Sequence, residues 1–166
     1  MSGQEDADRV VREWCAGSGV EAQPGSRPGE HVLQLPGETK LRTTVSLLVG
    51  ERALSAVAFV VRAPDENHAD FYRWLLARNS RLPGIAFAVD ALGDVFLVGR
   101  LPLSAVTDTA VDELLGAILT ASDGSFNDLL ALGFGSSIRR EWAWRLDRGE
   151  STRNLEAFRH LLSEPG

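Results

Sequence analysis

Cysteine, lysine, tyrosine and methionine are almost missing from this chain of 166 residues, which holds one Cys, one Tyr and one Met. A single cysteine, Cys15, excludes an internal disulfide framework and a cysteine-based zinc site. Lys40 is the one lysine among 17 basic residues; the arginine excess fits a coding bias and carries no function. Positive charge is short as well, since 23 acidic residues leave a net charge of −6. A non-specific nucleic-acid binder or a peripheral membrane protein needs a basic face, so neither partner is expected. No stretch approaches the roughly 18 apolar residues of a membrane span, and the acidic start, Met1 to Asp8, lacks the charge and the apolar run of a secretory signal. The expected location is the cytoplasm.

Catalytic patterns are missing too. His31, His68 and His160 are the only histidines, and none pairs with another at helical spacing, so no metal site is expected. There is no G-x-S-x-G elbow and no glycine-rich turn opening a helix after the first strand, which leaves no nucleophile motif and no nucleotide loop. His68 reads as an exposed residue in a first helical turn, and Cys15 as a small apolar neighbour of Trp14. The expectation is a non-enzyme without cofactor.

What is present is ordinary globular composition: 44% hydrophobic and 24% charged residues, 16 Gly and 7 Pro. A chain of this size buries roughly 70% of its extended surface, enough for a core without staples. Gln4 to Ala16, with Val10, Val11 and Trp14, predicts an amphipathic helix, and Gly17 to Glu30 a flexible connector. Strands follow at His31 to Pro36, at Leu41 to Val49 with strict alternation, and at Leu54 to Val61 as a more continuous apolar run. Asp65-Glu66-Asn67 opens a helix carrying Phe71, Trp74 and Leu75, which Pro83-Gly84 ends. Ile85 to Val89 and Val95 to Gly99 form a hairpin. Thr107-Asp108 caps a helix that Asp123-Gly124-Ser125 is expected to break, with further helices at Phe126 to Phe134, Ile138 to Arg148 and Thr152 to Leu162. The order predicts an α+β fold: a twisted, mostly antiparallel sheet with helices on one face. Residues 1–30 are read as helix plus connector, and 31–166 as the α+β domain.

Three places suggest binding. Gly133-Phe134-Gly135-Ser136-Ser137-Ile138-Arg139-Arg140 is a Gly/Ser turn opening a helix with two arginines in its first turn, an arrangement that suits an anion. Between Leu101 and Ile138 the chain has no basic residue but carries Asp108, Asp112, Glu113, Asp123 and Asp128, so internal pairing explains Arg139 and Arg140 without any ligand and is the favoured reading. Trp142 and Trp144 lie two apart and point to different sides of one helix. Trp142 shares the stripe of Ile138, Arg145 and Leu146; Trp144 among Arg140, Arg145 and Arg148 suits a partner interface, or lies under the helix from Leu155 to Leu162. Leu47, Leu48 and Val49 are consecutive, and Phe96 and Val98 oppose Val95 and Leu97, so Leu48, Phe96 and Val98 turn to the second sheet face. An apolar patch there marks a partner surface or a homodimer contact, unless the helix with Val10 and Trp14 covers it.

Ala63-Pro64-Asp65-Glu66-Asn67-His68 with Tyr72-Arg73-Trp74-Leu75-Leu76, then Gly93-Asp94-Val95-Phe96-Leu97-Val98-Gly99-Arg100, then Arg139-Arg140-Glu141-Trp142 through Gly149 to Phe158, together resemble the actinobacterial branch of the YbjN-domain proteins, labelled sensory transduction regulators. The resemblance spans about His31 to Leu162. It implies a fold similar to type III secretion chaperones, here with extra C-terminal helices, and a protein that binds a partner segment or a second copy of itself. It brings no catalytic residue. The partner-binding candidates are therefore Trp142, Trp144, Arg145, Leu48, Phe96 and Val98, and the alternative is a small-molecule or anion sensor using Ser136, Ser137, Arg139 and Arg140.

Overall fold

The computed structural model describes residues 3–163. The alternation in Arg42–Val49 becomes β3, with Thr43, Val45, Leu47 and Val49 all buried on one side. It pairs with β2 (Glu30–Pro36) and β4 (Ala53–Val61), and β6 (Val95–Pro102) joins the far side of β4. With β5 (Ile85–Val89) and a short β1 (Glu21–Pro24) this makes a six-stranded antiparallel sheet in the order β1-β2-β3-β4-β6-β5. The fold class is the expected α+β sandwich.

Helix α1 (Gly3–Ser18), α2 (His68–Asn79) and α3 (Asp108–Asp147) pack on one face of this sheet. Val11, Phe71, Leu115 and Ile118 from the helices meet Leu33, Val45, Ala58 and Leu97 from the strands in one apolar cluster. Ala56 and Ala58 are two of the inward residues of β4, and their small side chains leave room for α3, which packs on that strand. Trp14 Nε1 donates to Asp112 of α3 at 3.1 Å, and His31 Nε2 sits 2.7 Å from Asp8, so α1 is tied to both layers. It lies with α3 and leaves the second sheet face bare.

Three sequence expectations need correction. First, β1 occupies part of the stretch read as a flexible connector, where Glu21 to Pro24 pair with Gln34 to His31. Composition misses it because all four residues are exposed and the strand exists only through that pairing. Second, no break falls at Asp123-Gly124-Ser125: α3 runs through it. A helical glycine costs about 1 kcal/mol, and tertiary contacts outweigh this. Ser122 and Thr43 share a buried hydroxyl bond of 3.1 Å, while Asp123 accepts from the N–H groups of Thr39 and Lys40 at 3.0 and 2.8 Å. The break comes at Phe134, whose φ and ψ of −136° and 17° bend α3 between Gly133 and Gly135. Third, the last helix is a 3-10 stretch, Arg153–Leu162.

The turn between β1 and β2 rests on one carboxylate. Glu30 accepts from Arg27 Nη2 at 3.0 Å and Nε at 3.3 Å, and from Ser46 Oγ at 2.6 Å. These bonds, that from Arg27 foremost, lower its pKa from about 4.5 to about 2. A carboxylate depressed in the folded state adds stability above its unfolded pKa, and this is lost as pH falls through the folded value. Amide exchange at Gly25, whose N–H donates to the Glu30 carbonyl at 2.9 Å, is therefore expected to accelerate beyond the intrinsic rate between pH 4.5 and 2. In Glu30→Gln the turn is expected to be loose already at pH 5; unchanged protection there would refute the assignment.

Candidate functional site

The uncovered sheet face carries a contiguous apolar surface. Strand register aligns Val32, Ser46, Val57, Val98 and Ala86 in one row across five strands. Phe59 and Phe96 pair beside that row, their rings 5.6 Å apart and edge to face, with Ala88 next to Phe96. Leu48 lies toward the rim, opposite Ser55, with Glu30 and Arg100 beyond. Leu48, Phe96 and Val98 thus stand on one face, as their alternation requires, and all are half-buried.

Val57 and Phe59 are 40% and 42% exposed, the most open members of the patch, and the continuous apolar run they sit in does not single them out. Leu54 to Val61 looks like a strand buried on both sides. The signal was in the side-chain sizes: the large Val57 and Phe59 alternate with small Ala56 and Ala58, and the small residues face the helices. A bulge between Phe59 and Val61 then turns Val60 and Val61 both inward. Lys40 staples this bulge, its Nζ donating to the Phe59 and Val60 carbonyls at 2.8 and 2.9 Å and lying 5.5 Å from the Phe59 ring centre. Burial pushes the Lys40 pKa down.

The sheet edges are less available than its face. On β5 the outward backbone groups of Phe87 are taken by Asn79, whose Oδ1 accepts from the N–H at 2.6 Å and whose Nδ2 donates to the carbonyl at 3.2 Å. A side-chain amide here stands where another strand would pair. At the opposite edge β1 is four residues long and ends in Pro24, which offers no N–H.

The Gly133 to Arg140 turn does hold an anion, and it is the chain's own. Glu66 accepts from Ser136 N–H at 2.6 Å and Ser136 Oγ at 2.7 Å, capping the second segment of α3. Those bonds, with Arg139 and Arg140 nearby, hold the Glu66 pKa below the usual range. The carbonyl of Gly133, freed by the bend, accepts from Asp65 and Glu66 N–H at 3.0 and 3.2 Å. Asn67 takes the left-handed conformation, φ 54°, while its Nδ2 donates to the Leu132 carbonyl at 3.0 Å. Arg139 and Arg140 donate to Ser136 and Ser137 hydroxyls at 3.3 and 3.1 Å. They serve this latch and not the acidic stretch from Asp108 to Asp128, because the bend points them at the loop before α2. Any external anion would first have to displace Glu66.

The other candidates separate. Trp142 is buried where α3 meets the 3-10 stretch, which also buries Phe158 and Leu161, and the Arg159 guanidinium lies 5.4 Å from its ring centre. Arg145 is committed to Glu141 at 2.7 Å and to the Ser151 carbonyl at 3.0 Å, so it closes the loop between α3 and the 3-10 stretch. Trp144 stays 46% exposed. His68 is exposed, and burial pushes the Cys15 thiol up, away from a reactive thiolate. Among the described residues no three His, Cys, Asp or Glu side chains are grouped to hold a metal ion, and no helix is long and apolar enough to cross a membrane.

The family described as "putative bacterial sensory transduction regulator", YbjN, matches residues 7–131. The chain belongs to the YbjN family. An uncharacterized protein of Mycobacterium tuberculosis is 53% identical over 139 residues, which is 84% of this chain and 76% of the relative. One from Mycobacterium leprae is 49% identical over 135 residues, 81% and 73% of the two chains. Among solved structures, a chain of the ExsC–ExsE complex aligns with a TM-score of 0.58 and 20% identity over 78% of this chain and 97% of its own. The Yersinia pestis type III secretion chaperone SycH, in complex with a fragment of YscM2, gives 0.53 and 18%, over 70% and 96%. E. coli YbjN gives 0.52 and 14%, over 71% and 89%. The fold is thus that of type III secretion chaperones and of YbjN itself, and the family match ends just before the bend in α3.

Proposed function

We propose that this YbjN protein is a non-enzymatic regulatory module that binds an apolar segment of a partner protein on its uncovered sheet face. The observation that carries the reading is the patch of Val57, Phe59, Phe96 and Val98 on the central strands, with Asn79 occupying the β5 edge and β1 short at the other. An apolar patch of this kind on a monomer marks an interaction surface. Structures of the same fold support the reading, since those containing ExsC and SycH hold protein partners, ExsE and a YscM2 fragment. The direct test is a photo-crosslinking amino acid at position 59, with position 73 on exposed α2 as control. One defined partner adduct specific to position 59 is expected; adducts of equal pattern from both positions would defeat the proposal.

A second copy is a further partner, at a different corner. Leu76 and Val89 are 72% and 50% exposed and line a cleft of about 190 Å³ between α2 and β5, with Tyr72, Leu75, Phe87 and Ala88. An isologous contact there would cover both leucine and valine in each copy. Sedimentation at micromolar concentration is expected to give a dimer, and Leu76→Glu a folded monomer. A wild-type chain that sediments as a monomer at 100 µM would rule this contact out.

A further inference from the structure

Lys40 is the one lysine among 17 basic residues, and it stands where two central strands part. β3 pairs with β4 only from Val49–Leu54 to Val45–Ala58, so Arg42, Thr43 and Thr44 pair with β2 alone. β4 runs on through Phe59 to a bulge at Val60, which has no opposite residue on β6. The carbonyls of Phe59 and Val60 turn to the Lys40 ammonium instead of to β3. One side chain supplies the donors that a paired strand would have given.

The ammonium is placed from the helix layer. Its turn, residues 37–41, is closed by Gly37 N–H on the Leu41 carbonyl at 3.2 Å, and Asp123 of α3 holds it through the Thr39 and Lys40 N–H groups. A Cβ at Gly37 would stand 2.5 Å from that carboxylate, so glycine is what lets α3 hold the turn so closely. Lys40 Nζ lies 5.5 Å from the Phe59 ring centre and 5.6 Å from that of Phe126 on α3, between a ring of the open face and one of the helix layer. No carboxylate pairs with it among the described residues, and two carbonyl dipoles and two rings offset its charge. An ammonium carries its N–H groups on a single atom and fits this seam, whereas a guanidinium is a broad plane. That is a structural reason for lysine in a chain otherwise given to arginine.

We infer, taking the sheet face as the partner site, that Lys40 is its positioning residue: the ammonium holds the bulge, and the bulge keeps Phe59 turned outward at the patch. Without a donor in the seam the two carbonyls are left unpaired, which is costly for groups shielded from water. The relief open to the strand is to close on β3 and take up the extra residue. A shift of one residue exchanges the faces of a strand, so Phe59 would leave the patch and Val60 would enter it. The edge-to-face pair with Phe96 would then be lost. A residue tied to the covered layer through Asp123 thus governs what the uncovered face presents, without itself belonging to the apolar row.

The test uses the full chain carrying Cys15→Ala, so that Lys40→Cys adds a sole thiol, which bromoethylamine converts into a side chain of lysine's length ending in an ammonium. Fluorophenylalanine at position 59 gives a single 19F NMR signal. That signal is expected to shift or double in the Lys40→Cys chain and to return on aminoethylation. The photo-adduct from position 96 is expected to fall at least fivefold with Lys40→Cys and to recover in the same way. Lys40→Met, which keeps an apolar stem between the two rings, is the second variant without a donor and is expected to behave as Lys40→Cys does before aminoethylation. A signal indifferent to both substitutions, or displaced and not restored by the new ammonium, would overturn the role given to Lys40. A restored signal with no adduct from any of these chains would confirm Lys40 as the residue that aims Phe59 and count against the sheet face as the partner site.

Discussion

Val57→Asp combined with Phe59→Asp is expected to abolish partner capture by the sheet face while leaving the chain folded. Both side chains are about two-fifths exposed and point away from the helices, so their loss opens no cavity in the core. The cost to folding comes from aspartate's poor fit to a central strand, about 1 kcal/mol or less at each position, or a few degrees of melting temperature for a chain of this length. Binding is a different matter. A carboxylate carried into an apolar contact loses its water and finds no donor, and centrally placed anchors dominate interface energies. The position-59 photo-adduct, moved to position 96 in the double variant, is expected to vanish, corresponding to a loss of affinity of at least a hundredfold. Val57→Thr keeps shape and strand preference and is expected to weaken capture only partly. If the double variant melts as expected and still forms the adduct, the partner does not use this face.

Gly133→Ala is expected to be the most destabilising single methyl addition in the chain's long helix. A Cβ at Gly133 would lie 2.9 Å from two ring carbons of Phe71 and 2.9 Å from Pro64 Cβ. Phe71 is fully buried against the core and cannot move aside, so the clash is relieved only by shifting the bend or the loop before α2. Overpacking of this kind costs about 2 kcal/mol, and a melting temperature about 4–8 °C lower is expected. Gly124→Ala is the internal contrast, since nothing lies within 4 Å of its added Cβ. There the helix gains propensity, up to about 1 kcal/mol, and the melting temperature is expected to rise. Equal melting of the two variants would show that the bend is not packed as described. Acid is expected to loosen the same place, because Glu66 has a lowered pKa and its bonds to Ser136 weaken as pH falls through that value.

Local chemistry made much of this molecule readable in advance. Period-two alternation in β3 and the β5–β6 hairpin marks strands wherever one face is buried, and the spacing of Phe71 and Leu75, or of Val111, Leu115 and Ile118, marks helices that pack on a sheet. The same alternation placed Leu48, Phe96 and Val98 together on the second face. Composition excluded a disulfide scaffold and a basic binding face, and the quoted runs pointed to the YbjN family.

What the sequence determined by itself was therefore the kind of most elements, the pairing of residues on faces, and the family. The tertiary structure alone decided which face the helices cover, where α3 bends, and what occupies the turn at Ser136. A strand offers two faces by its geometry, but only the long-range packing of α1 with α3 left Val57 and Phe59 in the open. A glycine weakens a helix equally at positions 124 and 133. The bend settled at the second because Asp65 and Glu66, some 70 residues earlier in the chain, supply the donors and the carboxylate that a broken helix needs. Contacts so distant in sequence leave no periodic trace in either segment, which is why Glu66 as the anion on Ser136 could be seen only once the chain was folded.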